Sequence, residues 1–554
     1  MTAPSERTEY PHRWLALIVM LAGAFMTLID MTVVNVAVPS IQTGLGAAYA
    51  EIEWVITGYA LSYGLLLVAG GRLGDLYGHR RLFLLSLTGF VAASVLCGLT
   101  RTPTELIAAR VFQGAAAGLM YPQVTAFIQL FFDGRERGKA YALLGASIGL
   151  ASVLGPLVGG AFVSANVAGS GWRPIFLVNV PIGVAAGVAA LRFVPDSKGS
   201  GDRLDLGGLV LASAALLALT LGLTEGHASG WAWWTFALLA SAVPLFAGFL
   251  SCERRRSASG RATVLDPALF SSRPFTAGLL IALVFFAGFS SLFFTISLYL
   301  QQGLGLSALA TGAATVPFAL GAFWAAAASE SLGARLGHRV VTLGAALVLA
   351  GLIGVVGVVH AAGSGLHALA LAPPLLVAGL GCGLVIAPLI ELSLAGVPWR
   401  QAGAAAGVLN AAQRLGTAIG IALVGVALFA AVGGNAERAS AAAAPQLRQD
   451  LRAHGFPTQA LPFAVRHFQH CFEARARAHD PTVAPRGCDF GRTRYSSVFA
   501  ASASQALRSN FSHAFQLGTL VNIAAVAITL LLATWLAPRR AVRLESTAPA
   551  RARA

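Results

Sequence analysis

Long apolar stretches separated by short polar segments run through almost the whole chain. Stretches of about 20 residues, each long enough to cross a bilayer as one helix, recur at 14–36, 51–71, 82–100, 104–130, 139–164, 174–194, 205–224, 231–251, 274–300, 308–330, 339–360, 367–394, 403–432 and 514–537. Hydrocarbon offers a backbone no solvent to bond with, so each stretch has to satisfy its own N–H and C=O groups as a helix. The pattern therefore predicts an all-α polytopic membrane protein with about 14 transmembrane helices. Within the fifth stretch, Gly145, Gly149, Gly155, Pro156, Gly159 and Gly160 would weaken a helix in water. In a bilayer, glycines at four-residue spacing let a neighbouring helix approach closely, and proline adds a bending point.

Composition agrees: 56% of residues are hydrophobic and 11% charged, with mean hydropathy +0.72, against roughly 25% charged in an average soluble domain. Arg7 and Arg13 precede the first stretch and no convincing small-residue cleavage site follows, so that stretch reads as an uncleaved helix. The net charge of +15 would suit nucleic acid, but its placement gives another explanation. With the amino terminus inside the cell, the inner segments hold Arg72, Arg80, Arg81, Arg135, Arg137, Lys139, Arg192, Lys198, Arg203, Arg254, Arg255, Arg256, Arg261, Arg273, Arg335, Arg339 and Arg400. The short outer loops hold only Arg101 and Arg173. This is the asymmetry of the positive-inside rule; it puts both termini in the cytoplasm and leaves no call for a nucleic-acid partner. The lipid bilayer is the expected environment.

The chain also repeats itself. The segment from Gly70 to Arg81 and the segment from Glu330 to Arg339 both carry a glycine, three residues, then Gly-His-Arg between two apolar stretches, with Ala334 where the first copy has Asp75. Such duplication is expected of transporters built from two related bundles. The division that follows is a cytoplasmic amino terminus at 1–13, a six-helix bundle at 14–194, an inserted helix pair with flanking loops at 195–273, and five helices of a second bundle at 274–432. An extracytoplasmic loop at 433–513, the last helix at 514–537 and a cytoplasmic tail at 538–554 complete it.

Five motifs stand in one order: Leu28 to Pro39, Gly70 to Arg81, Arg110-Val111-Phe112-Gln113-Gly114, Gly145 to Gly160, and Trp172 to Gly183. Together they resemble the signatures of the major facilitator superfamily, in its fourteen-helix drug:proton antiporter branch. The resemblance implies two six-helix bundles plus two inserted helices, and a multidrug efflux transporter working by alternating access. Its cargo would be lipophilic or cationic small molecules. It further implies that Asp75 with Arg80 and Arg81 forms a latch gating the cytoplasmic side, that Arg110 takes part in proton transfer, and that the glycines of residues 145–160 tilt transport towards export. A tight turn with orienting positive charge is the plainer reading of Arg80 and Arg81, ordinary close packing that of the fifth-helix glycines, and permission of the turn that of Gly71, Gly74 and Gly78.

Asp30 is the most telling ionisable residue, flanked by Leu28, Ile29, Val33 and Val34 inside the first stretch. A carboxylate there costs roughly 2.5–3.5 kcal/mol on insertion scales, so such groups generally face a cavity and work. Proton or cation coupling is one reading, a structural carboxylate bonded to neighbouring helices the other. Counted from the outer ends of their stretches, Asp30 and Arg110 each lie roughly 9 Å deep at ~1.5 Å per residue, so a charge-assisted contact between them is expected, with a backbone-bonded arginine as the plainer alternative. Glu225 closes the seventh stretch, Glu391 lies toward the inner end of the twelfth, and Arg414 lies well inside the thirteenth. An Arg414–Glu391 pair would neutralise both. The central cavity is expected to hold a few carboxylates among apolar side chains.

Cys471 and Cys488 fall in the 433–513 loop, where an oxidising compartment would let them pair. With His467 and His470 they match no standard zinc spacing, so no metal is expected. No Gly-Lys-Ser/Thr phosphate loop is present. The chain is thus read as not an enzyme and as needing no cofactor, with an ion gradient, protons first, as its energy source. A transporter dedicated to one endogenous metabolite, antibiotic or envelope lipid is the alternative function, and a polytopic membrane enzyme a distant one. A periplasmic or outer-envelope partner is left open.

Overall fold

The computed structural model describes residues 10–47, 49–166, 169–196, 205–229, 231–259, 263, 267–337, 339–395, 397–398, 401–476, 488 and 494–536. The tail at 538–554, most of 477–493, His338 and the side chain of Pro156 lie outside the described set.

Local chemistry sets the helix ends. Helix α1 (Arg13–Leu45) stops at Gly46, which takes the left-handed φ of +62°. Helices α2 (Tyr49–Tyr77) and α3 (His79–Leu99) meet at Gly78, whose φ of +96° only glycine adopts without strain. Helix α4 (Pro103–Phe131) starts with a capping box, Glu105 N donating to Thr102 Oγ1 and Thr102 N to Glu105 Oε2, both at 3.3 Å. Helix α5 (Gly134–Ala165) follows, then one turn at Pro174–Leu177 and α6 (Asn179–Phe193). The inserted pair is α7 (Leu206–Ala228) and α8 (Trp233–Ala258). The second bundle has α9 (Arg273–Leu298), α10 (Ala308–Leu336), α11 (Arg339–Ala362), α12 (Ala372–Leu394) and α13 (Ala402–Ala453). Helix α14 (Leu461–Ala476) precedes the closing α15 (Ser496–Leu536).

Among the described residues, 11 helices are long and apolar enough to cross a membrane, and α7 adds the shorter apolar stretch Gly207–Leu223. Helices α4 and α5, of 29 and 32 residues, are also long enough to span.

The packing exposes the repeat. In the first bundle α2 packs on α4, α3 on α4 and α6, and α1 on α5 and α6. In the second, α10 packs on α12, α11 on α12 and α15, and α9 on α13 and α15, the same scheme under the correspondence of α1–α6 with α9–α13 and α15. Two seams join the halves: α5 against α10 and α12, and α13 against α2 and α4. Helix α7 packs on α8, α2 and α13, so the inserted pair leans on both halves, and Arg256 Nε closes its base 2.8 Å from Asp205 Oδ2.

The 433–513 segment differs from the loop the sequence suggests. Helix α13 runs unbroken past residue 432 to Ala453, and α15 begins at Ser496, well before 514. These extensions and α14 bury their own apolar cluster, including Leu447, Leu451, Phe468, Phe472 and Phe499. A disulfide joins Cys471 and Cys488. The segment is a small helical cap because its alanines and leucines recur at helical spacing, which its arginines mask in a hydropathy profile.

Candidate functional site

The polar centre of the first bundle lies wholly inside it. Asp30, with none of its surface exposed, receives Arg110 Nη1 at Oδ2, Gln113 Nε2 at Oδ1 at 3.0 Å and Asn179 Nδ2 at Oδ1 at 3.3 Å. Gln113 and Asn179 also donate to Ser94 Oγ at 2.7 and 3.1 Å. Arg110 Nε donates to the Val55 carbonyl at 3.2 Å, and the guanidinium lies 4.1 Å above the Tyr59 ring. Helix α1 thus supplies the carboxylate, α4 and α6 its donors, and α3 the hydroxyl that holds two of those donors. A buried ion pair is tolerable in an apolar interior only when its remaining donors and acceptors are met in this way. Asp30 and Arg110 meet although α1 continues nine residues past 36. In the second bundle the corresponding helices α9 and α15 bring together Ser291 and Asn522, with Ser291 Oγ donating to Asn522 Oδ1 at 2.5 Å. That counterpart is neutral.

Asp75 bonds across the seam between the halves. Its two oxygens accept the backbone N–H groups of Gly403, at 3.0 Å, and Ala404, at 2.9 Å. These are in the first turn of α13, whose own N-cap Gln401 makes no side-chain cap bond. A carboxylate of one half therefore caps a helix of the other, satisfying orphan N–H groups and meeting the positive end of the helix dipole. His79 Nε2 stands 3.5 Å from Asp75 Oδ1, and its Nδ1 stands 2.7 Å from Gln123 Oε1.

Several expectations change here. Gly71 and Gly74 do not form the turn: both lie within α2. A methyl group on Gly71 would strike the Gly403 carbonyl across the seam, and one on Gly74 would strike Gln123 and His79. Only Gly78 turns the chain. The Arg80–Arg81 pair does not reach Asp75; Arg80 donates to the Leu191 carbonyl, and Arg81 lies 3.8 Å from Asp196 with its side chain 76% exposed. An exposed pair of that kind contributes about 0–1 kcal/mol.

The α5 glycines divide between two faces. Gly155 and Gly159 lie against Thr32 and Val33 of α1, inside the bundle, whereas Gly145, Gly149 and Gly160 lie against Ala387, Ala322 and Leu309 of the other half. Thr32 Oγ1 donates to the Ala151 carbonyl at 3.4 Å. Between α5, α9, α10 and α12 lies a void of about 10 Å³ lined by Gly145, Gly149, Phe289, Phe318 and Ile386, far below the roughly 300–1,000 Å³ of a drug pocket. The halves are closed upon each other here.

The expected Arg414–Glu391 pair does not form. Arg414 Nη2 donates to Tyr63 Oη at 3.1 Å, its Nη1 lies 3.7 Å from Met31 Sδ, and the guanidinium sits 4.5 Å above the Tyr63 ring. Depth is the reason: Glu391 is three residues from the end of α12, near Tyr141, whereas Arg414 lies ~18 Å into α13 at ~1.5 Å per residue. Nor, among the described residues, does Asp30 face the middle of the seam, since it is enclosed in its own bundle. Glu225 sits half-buried in the last turn of α7, two residues past its apolar stretch. Gln113, Asn179, Ser94, Tyr59 and Tyr63 carry more of the site than those acids. Their signal in the sequence was a hydrogen-bonding side chain in an otherwise apolar stretch.

Residues 20–421 match the profile of the Major Facilitator Superfamily. The chain belongs to that superfamily. It is 35% identical over 538 residues to a probable actinorhodin transporter of Streptomyces coelicolor, covering 96% of this chain and 93% of that one. It is 34% identical to the puromycin resistance protein of Streptomyces alboniger, covering 82% and 89%. Among solved structures, the proton:xylose symporter XylE superposes with a TM-score of 0.53 at 13% identity, covering 75% of this chain and 88% of that one. At that identity the likeness speaks for the fold alone. As a superfamily member with 11 apolar helices of spanning length among its described residues, the chain is a membrane-spanning transporter.

Proposed function

We propose that this transporter exports lipophilic small molecules in exchange for protons, by alternating access, with both termini on the cytoplasmic side of the cell membrane. The observation that carries the reading is the enclosed Asp30–Arg110 pair, which the second half replaces with the neutral Ser291–Asn522 contact. Guanidinium stays charged at any physiological pH, so protonating Asp30 would leave Arg110 as an uncompensated cation in an apolar interior. That penalty favours a rearrangement in which Arg110 turns to other acceptors, the Val55 carbonyl and the Tyr59 ring being already in contact. Proton binding and helix movement would then be linked through one free energy. The Asp75 cap on α13 would hold the cytoplasmic end shut until the two halves rock. Relatives named for transport of, or resistance to, antibiotics support export as the direction.

A second reading has an observation in its favour. These relatives are each named for a single compound, actinorhodin in one case and puromycin in the other, which suits a transporter dedicated to one product. Efflux of several unrelated dyes from expressing cells supports the multidrug reading; protection against one compound only supports the dedicated one. Proton coupling is tested in proteoliposomes loaded with a pH-sensitive dye. Substrate addition moves protons with the wild-type protein, and wild-type exchange by Asp30→Asn would overturn the coupling role.

A further inference from the structure

Among the described residues, Asp30, Arg110 and Arg414 carry charge well inside their helices. Asp30 is committed to Arg110, so the positive charge of Arg414 faces no carboxylate among the described residues. Its contacts are a phenol, an aromatic face and a thioether. An isolated cation at membrane depth is expensive and is a mark of function.

The helix around it adds to the case. Gly403, Gly407, Asn410 and Arg414 follow helical spacing along the face of α13 turned to α2, with Gly403 against Gly71 and Gly407 against Leu67. Gly416 and Gly420 face α9, against Leu283 and Ala287, and Thr417 Oγ1 lies 2.9 Å from Ser290 Oγ of that helix. Asn410, Gln413 and Arg414 therefore flank the gap between the two halves. The amide nitrogens of Asn410 and Gln413 are buried without an acceptor among the described residues, which buried donors seldom are. The internal repeat supplies a control. Gly155 and Gly159 of α5 pack on α1 as Gly416 and Gly420 of α13 pack on α9, and in that register α5 has Gly149 where α13 has Asn410. One half presents a bare glycine face to the seam, the other hydrogen-bond donors and a fixed positive charge.

We infer that Arg414, with the amides of Asn410 and Gln413, is the anchor for an anionic group, a carboxylate, phenolate or enolate, on an aromatic compound carried by this transporter. The inference rests on the export reading for its physiological role and deepens it by naming the substrate's charge. Guanidinium matches a carboxylate bidentately, and the two amides supply further N–H donors. Tyr63 and Tyr121, whose rings lie 6.4 Å apart at the same place and are buried in this closed arrangement, would offer edges and faces for an aromatic body once the halves part. On Arg414's own half, Phe289 of α9 and Phe318 of α10 line the small void against α5, so the second bundle's face beside that seam is apolar as well. Binding an anion at Arg414 would also pull the guanidinium off Tyr63, which stacks on Tyr59 beneath Arg110, so occupancy would be felt at the Asp30 pair.

The test uses the full-length protein in detergent and three probes: anthraquinone-2-carboxylate, its methyl ester and tetraphenylphosphonium. Thermal stabilisation should saturate with the acid, with an apparent Kd at least tenfold lower than for the ester. Arg414→Gln should raise the acid's Kd at least tenfold and leave the ester's unchanged, Arg414→Lys should keep most of the preference, and Gln413→Leu should weaken the acid several-fold. Wild-type preference for the ester or the cation, or an unchanged acid Kd in both Arg414→Gln and Gln413→Leu, overturns the inference whether or not any one variant folds. Proton exchange in proteoliposomes separates the two readings. If the acid binds through Arg414 but moves no protons, the anchor stands and the coupled-export reading falls.

Discussion

At the scale of single residues, the molecule is governed by how each buried charge is compensated. Asp30 and Arg110 share a site in which every neighbour is also hydrogen-bonded, so removing one partner strands the other. Arg110→Ala should destabilise the protein by about 3–5 kcal/mol, the usual penalty for leaving one charge of a buried pair uncompensated, read from thermal unfolding in detergent. The paired replacement Asp30→Asn with Arg110→Gln removes both charges and should recover a large part of that loss, while proton exchange stays at least tenfold below wild type. Recovery of stability without recovery of exchange separates a functional pair from a structural one; recovery of both would assign the pair to structure alone.

At the scale of elements, the two seams are built differently. Along α5 the contact is made by glycines and alanines, whereas α2 and α13 are joined by a backbone-to-backbone approach at Gly71 and Gly403 and by the Asp75 cap. Loss of an N-cap costs about 0.5–2 kcal/mol, so Asp75→Ala should raise the open population of that end roughly 2- to 30-fold. A cysteine at Leu67, fully buried under Gly407, reports it: its rate of reaction with a small maleimide should rise by that factor in Asp75→Ala. Gly71→Leu should raise the same rate, because its side chain has no room beside the Gly403 carbonyl. The sequence made most of these elements legible. Apolar runs marked the helices, the repeated Gly-His-Arg loop marked the two halves, and isolated polar residues such as Asp30 and Arg110 marked the centre. It concealed what depends on the facing surface. Gly71 and Gly74 read as turn residues because glycine is used both for φ freedom and for close approach, and only the neighbouring helix tells which. A second repeat went unread for the same reason: Gly114 and Gly118 of α4 lie against the Tyr59 and Tyr63 carbonyls of α2, and Gly379 and Gly383 of α12 against the Phe318 and Ala322 carbonyls of α10. Charge alone pairs Arg414 with Glu391; depth along α12 and α13 keeps them apart.

At the scale of the whole molecule, the cap formed by the ends of α13 and α15 with α14 has a hydrophobic cluster of its own on the second bundle. Its cluster is small and the Cys471–Cys488 bond closes a 17-residue separation, so the bond should contribute about 3 kcal/mol by restricting the unfolded cap. Cys488→Ser should then speed amide exchange in α14 on the order of 100-fold and leave α1–α6 unchanged. The same cap bears on the proposed orientation of the protein in its membrane. Structural disulfides form and persist in oxidising compartments, and the positive-inside rule would put the α2–α3 turn in the cytoplasm; the proposed orientation satisfies both. In a chain with Cys252 replaced by serine, a cysteine at the exposed Ala442 of the cap should react with a membrane-impermeant maleimide in intact cells. A cysteine at Arg81, exposed in the first turn of α3, should react only after permeabilisation. The reverse pattern would invert the molecule, put the Asp75 cap outside and turn the proposed direction of proton movement around with it.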